Sequence, residues 1–161
     1  MSTTSTKPRL LTTGEKRAWR ALLHTSTQLL EGLDSELKAR TGVSLPDFDV
    51  LSNLAEAPEH RLRMRELADQ TLFSPSRLTH RISRLEKAGL VARHSSPEDG
   101  RGVYASLTPE GRQLHRRLAA THVAGVRGYL LDALTGAEQE QLAVLLIKVL
   151  DHLDVHPQPP L

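Results

Sequence analysis

A mainly α fold interrupted by one small β-hairpin is what this sequence predicts, and three observations carry the expectation. Apolar residues recur at helical spacing through most of the chain, notably from Trp19 to Leu37, Leu114 to Leu131 and Leu142 to Leu153. Helix starts are marked by a Ser or Thr with a nearby proline, at Ser44 with Pro46, Ser74 with Pro75 and Thr108 with Pro109. Only after Gly89 does the period turn from helical to alternating: 90–94 and 102–107 read as two strands around the polar, turn-forming stretch 95–101.

Taken in order, residues 1–11 are polar and rich in Ser and Thr, and are expected to be loose. Thr12 and Glu15 stand three apart, the spacing of a capping box. The long helix that follows is expected to run to about Arg40, with Gly42 ending it. Ser44 and Pro46 open a second helix whose apolar positions are Phe48, Leu51, Leu54 and Ala55, and Pro58 stops it. Residues 61–63 are short and extended. Residues 64–88 then read as a short helix, a tight turn at 71–73 and a second helix with Ser74 as its cap and Pro75 at its first position. Thr108 with Pro109 starts a helix expected to reach about Leu134, in which Gly125 and Gly128 weaken the helix or admit a close neighbour. Thr135 and Glu138 repeat the capping-box spacing before a last helix with a broad apolar stripe.

The second helix of 64–88 organises the rest. Leu78, Ile82 and Leu85 fall on one face at spacings of four and three, whereas Ser76, Arg77, Thr79, His80, Ser83 and Arg84 occupy the other. No acid precedes Glu86 in this helix. A helix pinned by one apolar stripe, with hydroxyl, imidazole and guanidinium donors opposite, suits the major groove of duplex DNA; a solvated face is the plainer alternative.

Charge distribution agrees better than net charge. The whole chain is only +2, but Arg61 to Arg101 carries nine bases against five acids, and the remainder twelve against fourteen. With no cysteine in 161 residues, disulfides and thiolate chemistry are excluded. No apolar run has the length of a signal peptide or a membrane span, so a soluble, cytoplasmic protein with no membrane partner is expected. A nucleophile elbow, a phosphate-cradling glycine loop, paired catalytic carboxylates and a metal signature are all missing, which argues against an enzyme. His115 and His122 share a helix face, yet nothing nearby in sequence completes a metal site; neither metal nor cofactor is expected. The first and last helices carry stripes too broad for a small domain to bury, so a second copy of the chain is expected to cover them, placing two recognition helices about one turn of DNA apart, with a monomeric helical bundle as the alternative. The rival is a helical protein-interaction module without DNA binding.

The order of these segments resembles the multiple-antibiotic-resistance regulator (MarR) family, most specifically in Arg81-Ile-Ser-Arg-Leu-Glu-Lys-Ala-Gly-Leu-Val-Ala-Arg93, Asp99-Gly-Arg101 and Leu107-Thr-Pro-Glu-Gly111. The resemblance runs from about Trp19 to Leu153. It implies a winged helix-turn-helix homodimer that binds a palindromic operator, usually as a repressor and usually released by a small aromatic or anionic ligand. A ligand-independent regulator or an activator is the alternative. The corresponding partition is a helical dimerisation region over 12–42 and 108–154, a DNA-binding domain over 44–107 and flexible tails at 1–11 and 155–161. Ser76, Thr79, His80 and Arg84 are expected to read bases, Pro75 to meet a thymine methyl, and Ser74 and Arg77 to hold phosphates. Arg101, flanked by two glycines, is expected to enter the minor groove; in similar proteins the acid corresponding to Asp99 orients that arginine. Arg81 and Arg93 are open between contact residues and structural ion-pair partners. Ligand pockets of similar regulators imply a pocket lined here by Trp19, Leu23, His24, Phe48 and Asp49, although a tryptophan such as Trp19 also suits a core or an interface. The positions of Asp49, Arg81 and Arg93 resemble those of urate-responsive members, from which Trp19 departs in its placement.

Overall fold

The computed structural model describes residues 9–71, 73–95 and 102–153. Six α-helices and three strands follow one another as α1 (Thr13–Thr41), α2 (Leu45–Glu56), β1 (Arg61–Arg63), α3 (Met64–Gln70), α4 (Pro75–Lys87), β2 (Val91–Ser95), β3 (Val103–Leu107), α5 (Pro109–Tyr129) and α6 (Gly136–His152). The architecture is mainly helical with a small antiparallel sheet in the order β1-β3-β2. Extended backbone at 61–63 thus becomes a third strand, added to the expected hairpin because Leu62 pairs with Ala105 and buries itself beneath the sheet.

Capping explains most boundaries. The Thr12 hydroxyl accepts from the Glu15 amide and the Glu15 carboxylate accepts from the Thr12 amide, closing the box that starts α1. The same reciprocal pair joins Thr135 and Glu138 at α6. Gly42 ends α1 at φ 73°, where its amide reaches the Lys38 carbonyl. Ser74 departs from expectation: it occupies the cap position, but its hydroxyl lies 3.3 Å from that of Ser76 and makes no cap bond. Pro75, with φ already set, starts α4 without it. Helix α5 ends at Tyr129, earlier than expected, because a 3-10 turn at Leu131–Ala133 intervenes. Gln139 Nε2 donates to the Leu131 and Leu134 carbonyls of this turn, at 3.0 and 3.1 Å.

The core gathers between α2, α4, the sheet and the first half of α5. Leu51, Leu54, Leu67, Leu78, Ile82 and Leu118 are fully buried there, and the stripe Leu78, Ile82, Leu85 is the edge by which α4 is fixed. Two glycines mark close approaches. A Cβ on Gly111 would stand 2.0 Å from the Leu90 carbonyl oxygen, so only glycine lets α5 start against the turn after α4. A Cβ on Gly125 would stand 2.7 Å from Leu33, the place where α5 crosses α1, whereas Gly128 faces open space.

Burial stops short of both ends of the chain. Helix α1 buries only Leu33 and Leu37, and α6 buries no residue. Trp19, Leu22, Leu23 and Leu30 on α1, and Val144, Leu145, Leu146, Ile147 and Val149 on α6, are exposed within the chain. Among the described residues no helix is long and apolar enough to cross a membrane.

Candidate nucleic-acid interface

Because α4 is held by one narrow apolar edge, its other face is presented outward by default. Ser74, Pro75, Ser76, Arg77, Thr79, His80 and Arg84 are all exposed. Thr79 spends its hydroxyl proton on the Pro75 carbonyl at 2.9 Å, so it offers lone pairs rather than a donor. No carboxylate occurs between Gln70 and Glu86, which leaves the face a continuous field of hydroxyl, imidazole and guanidinium groups.

The rotation of that face is set by a residue absent from the expected site, Asp47. It lies on α2, is only 4% exposed, and receives Arg81 Nη1 at 3.0 Å on Oδ1. Arg84 Nη2 pairs with its Oδ2, which the Ser44 hydroxyl also contacts at 2.5 Å. Arg81 is further laid over the Phe73 ring, 4.7 Å from its centroid. One buried carboxylate therefore ties α2 to two successive turns of α4. A sequence signal existed: Asp47 sits on the stripe continued by Val50, Leu51 and Leu54, and an acid at a core position requires a cation. Arg84 thus enters the site already partnered, although its side chain stays 62% exposed.

Arg93 is also in a structural pair. Its Nε donates to Glu86 at 2.9 Å and its Nη2 to Ser83 at 3.1 Å, joining β2 to the end of α4. The guanidinium holds the Glu86 carboxyl below the usual carboxylate range. The expected wing residues Asp99 and Arg101 lie outside the described residues.

The expected ligand-pocket residues divide between α1 (Trp19, Leu23, His24) and α2 (Phe48, Asp49). Phe48 is buried in the core, stacked on His115 (centroids 5.6 Å apart) and touched by His122 at 4.8 Å. Asp49 is half-buried beside Asn53, and burial raises its carboxyl above the ordinary value. Trp19, Leu23 and His24 stand on the unburied half of α1, roughly 15–20 Å along the helix from Leu33, where α1 meets α5. A cleft of about 500 Å³ on α1 includes His24, and another of about 490 Å³ between α1, α2 and α4 is lined by Glu31, Asp34, Lys38, Leu45, Arg81 and Arg84, with Lys38 paired to Asp34 at 2.6 Å.

His115 and His122 serve packing in this structure, and among the described residues no three potential metal ligands converge. Burial lowers the basicity of both imidazoles, aided at His115 by Arg116 and His60, and His122 Nδ1 is buried without a partner. Folding therefore disfavours their protonation. The stability they permit is complete above their unfolded value, about 6.5, and is lost as pH falls from there through the lower folded values. Asp49 and Glu56, whose carboxyls burial raises, act oppositely but from the carboxylate range upward. Thermal melts between pH 7.5 and 5.5 should fall more steeply for the wild type than for His122→Leu; parallel curves would refute this.

Comparison with known proteins places the fold. A model of the MarR family matches residues 41–102. An HTH-type transcriptional repressor of Mycobacterium tuberculosis is 34% identical over 108 residues, covering 67% of this chain and 76% of its own. Two solved MarR family transcriptional regulators from Streptomyces coelicolor are similar along nearly the whole chain. One, crystallised in complex with DNA, is 39% identical with a TM-score of 0.88, covering 96% of this chain and 94% of its own. The other, AbsC, is 37% identical with a TM-score of 0.87, covering 91% and 99%. With its sequence, its helix-turn-helix and its three-stranded wing sheet all in agreement, this chain belongs to the MarR family of transcriptional regulators.

Proposed function

We propose that the protein is a homodimeric repressor that reads a palindromic operator with α4 of each subunit and is released by a small aromatic or anionic molecule. The observation that carries this reading is the acid-free, exposed face of α4 on a fold 39% identical to a regulator crystallised with DNA. Ser76, Thr79, His80 and Arg84 are the base-reading residues, with Pro75 against a thymine methyl and Ser74 and Arg77 on phosphates. Arg101, oriented by Asp99, belongs to the minor groove. The unburied apolar faces of α1 and α6 support the dimer, with 12–42 and 108–154 as its helical region and 44–107 as the DNA-binding domain. A second copy also supplies the walls that Trp19, Leu23 and His24 lack for a ligand pocket with Phe48 and Asp49. The cleft beside Lys38, Arg81 and Arg84 gives release a physical route, since an anion there competes with Asp47 for Arg84.

The test is selection of duplexes from a random pool by the purified protein, followed by titration of the winner and a scrambled duplex at several salt concentrations. A palindromic winner bound by two chains is expected; equal affinity for the scrambled duplex would overturn the reading. Arg84→Ala should weaken the selected duplex about tenfold or more, in line with roughly 1–3 kcal/mol for a bidentate base contact. Its loss on the scrambled duplex should be clearly smaller, and equal losses would remove Arg84 from the base-reading set.

A further inference from the structure

Strand register gives the sheet two chemically different faces. Leu62, Ala105, Val91 and Leu107 point to the core, while Arg61 opposite Ser106, and Arg63 opposite Tyr104 and thence His94, point the other way. Tyr104 lies on that outer face with two guanidinium groups of β1 at its ring, Arg61 at 5.5 Å and Arg63 at 5.1 Å from its centroid. Its hydroxyl accepts from Arg63 Nε at 2.9 Å. Two acids at the margin of this face are engaged: Glu59 pairs with Arg61 at 2.9 Å, and Glu66 accepts from the Arg63 backbone amide at 3.0 Å. A guanidinium laid on a ring and tied through Nε has already surrendered much of its rotamer freedom, so a further contact to an anion costs less entropy.

The location says which anion. The row Arg63, Tyr104, His94 lies at the end of the sheet where β1 passes into α3, and one residue, about 3.3 Å, from Val103 and Ser95, where the hairpin leaves the sheet. Helix α3 leads from that end directly into α4. A duplex engaged by α4, with the hairpin at its minor groove as proposed above, carries one backbone charge per ~1.7 Å of its axis, and that docking would bring flanking phosphates toward this end. We propose that Arg63 and Arg61, positioned by Tyr104, contact backbone phosphates of the bound duplex outside the bases read by α4. The proposal rests on the DNA-binding reading above.

The experiment titrates wild type, Arg63→Ala, Arg63→Lys, Arg61→Ala and Tyr104→Phe against the selected and the scrambled duplex across a salt series. Arg63→Ala should weaken both duplexes by the same factor, about five- to tenfold, and reduce the slope of log affinity against log salt by about one. Arg63→Lys should restore the slope. Tyr104→Phe, which keeps the ring, should give a smaller loss of the same kind. Arg61→Ala, at an exposed edge, repeats the test without touching the core. An unchanged slope in both arginine-to-alanine variants, with wild-type binding intact, would overturn the proposal and leave this face to another partner. A loss confined to the selected duplex would overturn it too, because it would mean base reading. Absence of binding by the wild type to either duplex would instead refute the underlying reading.

Discussion

Leu145→Glu together with Leu146→Glu should convert the proposed dimer into a folded monomer and cost the proposed palindromic operator about a hundredfold or more in affinity. Both side chains are exposed in the isolated chain, at 62% and 39%, and α6 buries nothing of its own. In a monomer these changes touch no core contact, and surface substitutions of that kind stay within about ±0.5 kcal/mol. In a dimer whose two α6 helices are covered by the partner, four carboxylates would have to enter a largely apolar interface. Half-sites would then be bound one at a time, forfeiting the 10²–10⁴ that linkage of two sites supplies. Sedimentation velocity, far-ultraviolet circular dichroism and operator titration give the three readouts. A variant that remains dimeric at micromolar concentration would place the subunit contact elsewhere.

Asp47→Ala should lower the melting temperature by roughly 4–8 °C and narrow the gap between operator and scrambled duplex about tenfold. Breaking a buried ion pair by deleting one partner costs about 3–5 kcal/mol when the survivor stays buried. Here the orphans are Arg84, with 62% of its side chain exposed, and Arg81, with 26%, so water recovers part of that cost and about 2 kcal/mol is the better figure. In a chain of this size each kcal/mol moves the midpoint by about 2–4 °C. The effect on recognition has a different origin. With the carboxylate gone, Arg84 adds a free cation to the DNA face, raising affinity for any duplex, while α4 loses the tether that sets its rotation. Asp47→Asn keeps the volume and should reproduce the loss of discrimination with less destabilisation. If discrimination survives in both variants, Asp47 is a stability element alone.

Much of this was legible in the amino-acid order. The capping pairs Thr12 with Glu15 and Thr135 with Glu138, the glycine stop at 42, the Pro75 start and the stripe Leu78, Ile82, Leu85 are rules acting over three to five residues, and the structure realises each. The family resemblance in 81–111 was likewise written locally, Gly111 included, although why glycine must stand there shows only when the Leu90 carbonyl arrives beside it. Ser74 illustrates the limit: a good cap residue makes no cap bond, its hydroxyl lying beside that of Ser76, although Thr108 before Pro109 does cap its helix.

The sequence by itself determined which segments are helices, which edge of α4 faces inward and which donors face outward, because those follow from a period and from hydrogen bonds closed within one turn. Only the tertiary structure decided that Asp47, 34 and 37 residues away, holds Arg81 and Arg84. It likewise decided that Arg93 belongs to Glu86, that Phe48 lies between two imidazoles, and that Trp19 stands on a stretch of α1 left exposed within the chain. A charge finds its partner through the packing of whole elements, and that distance is not encoded in any spacing along the chain.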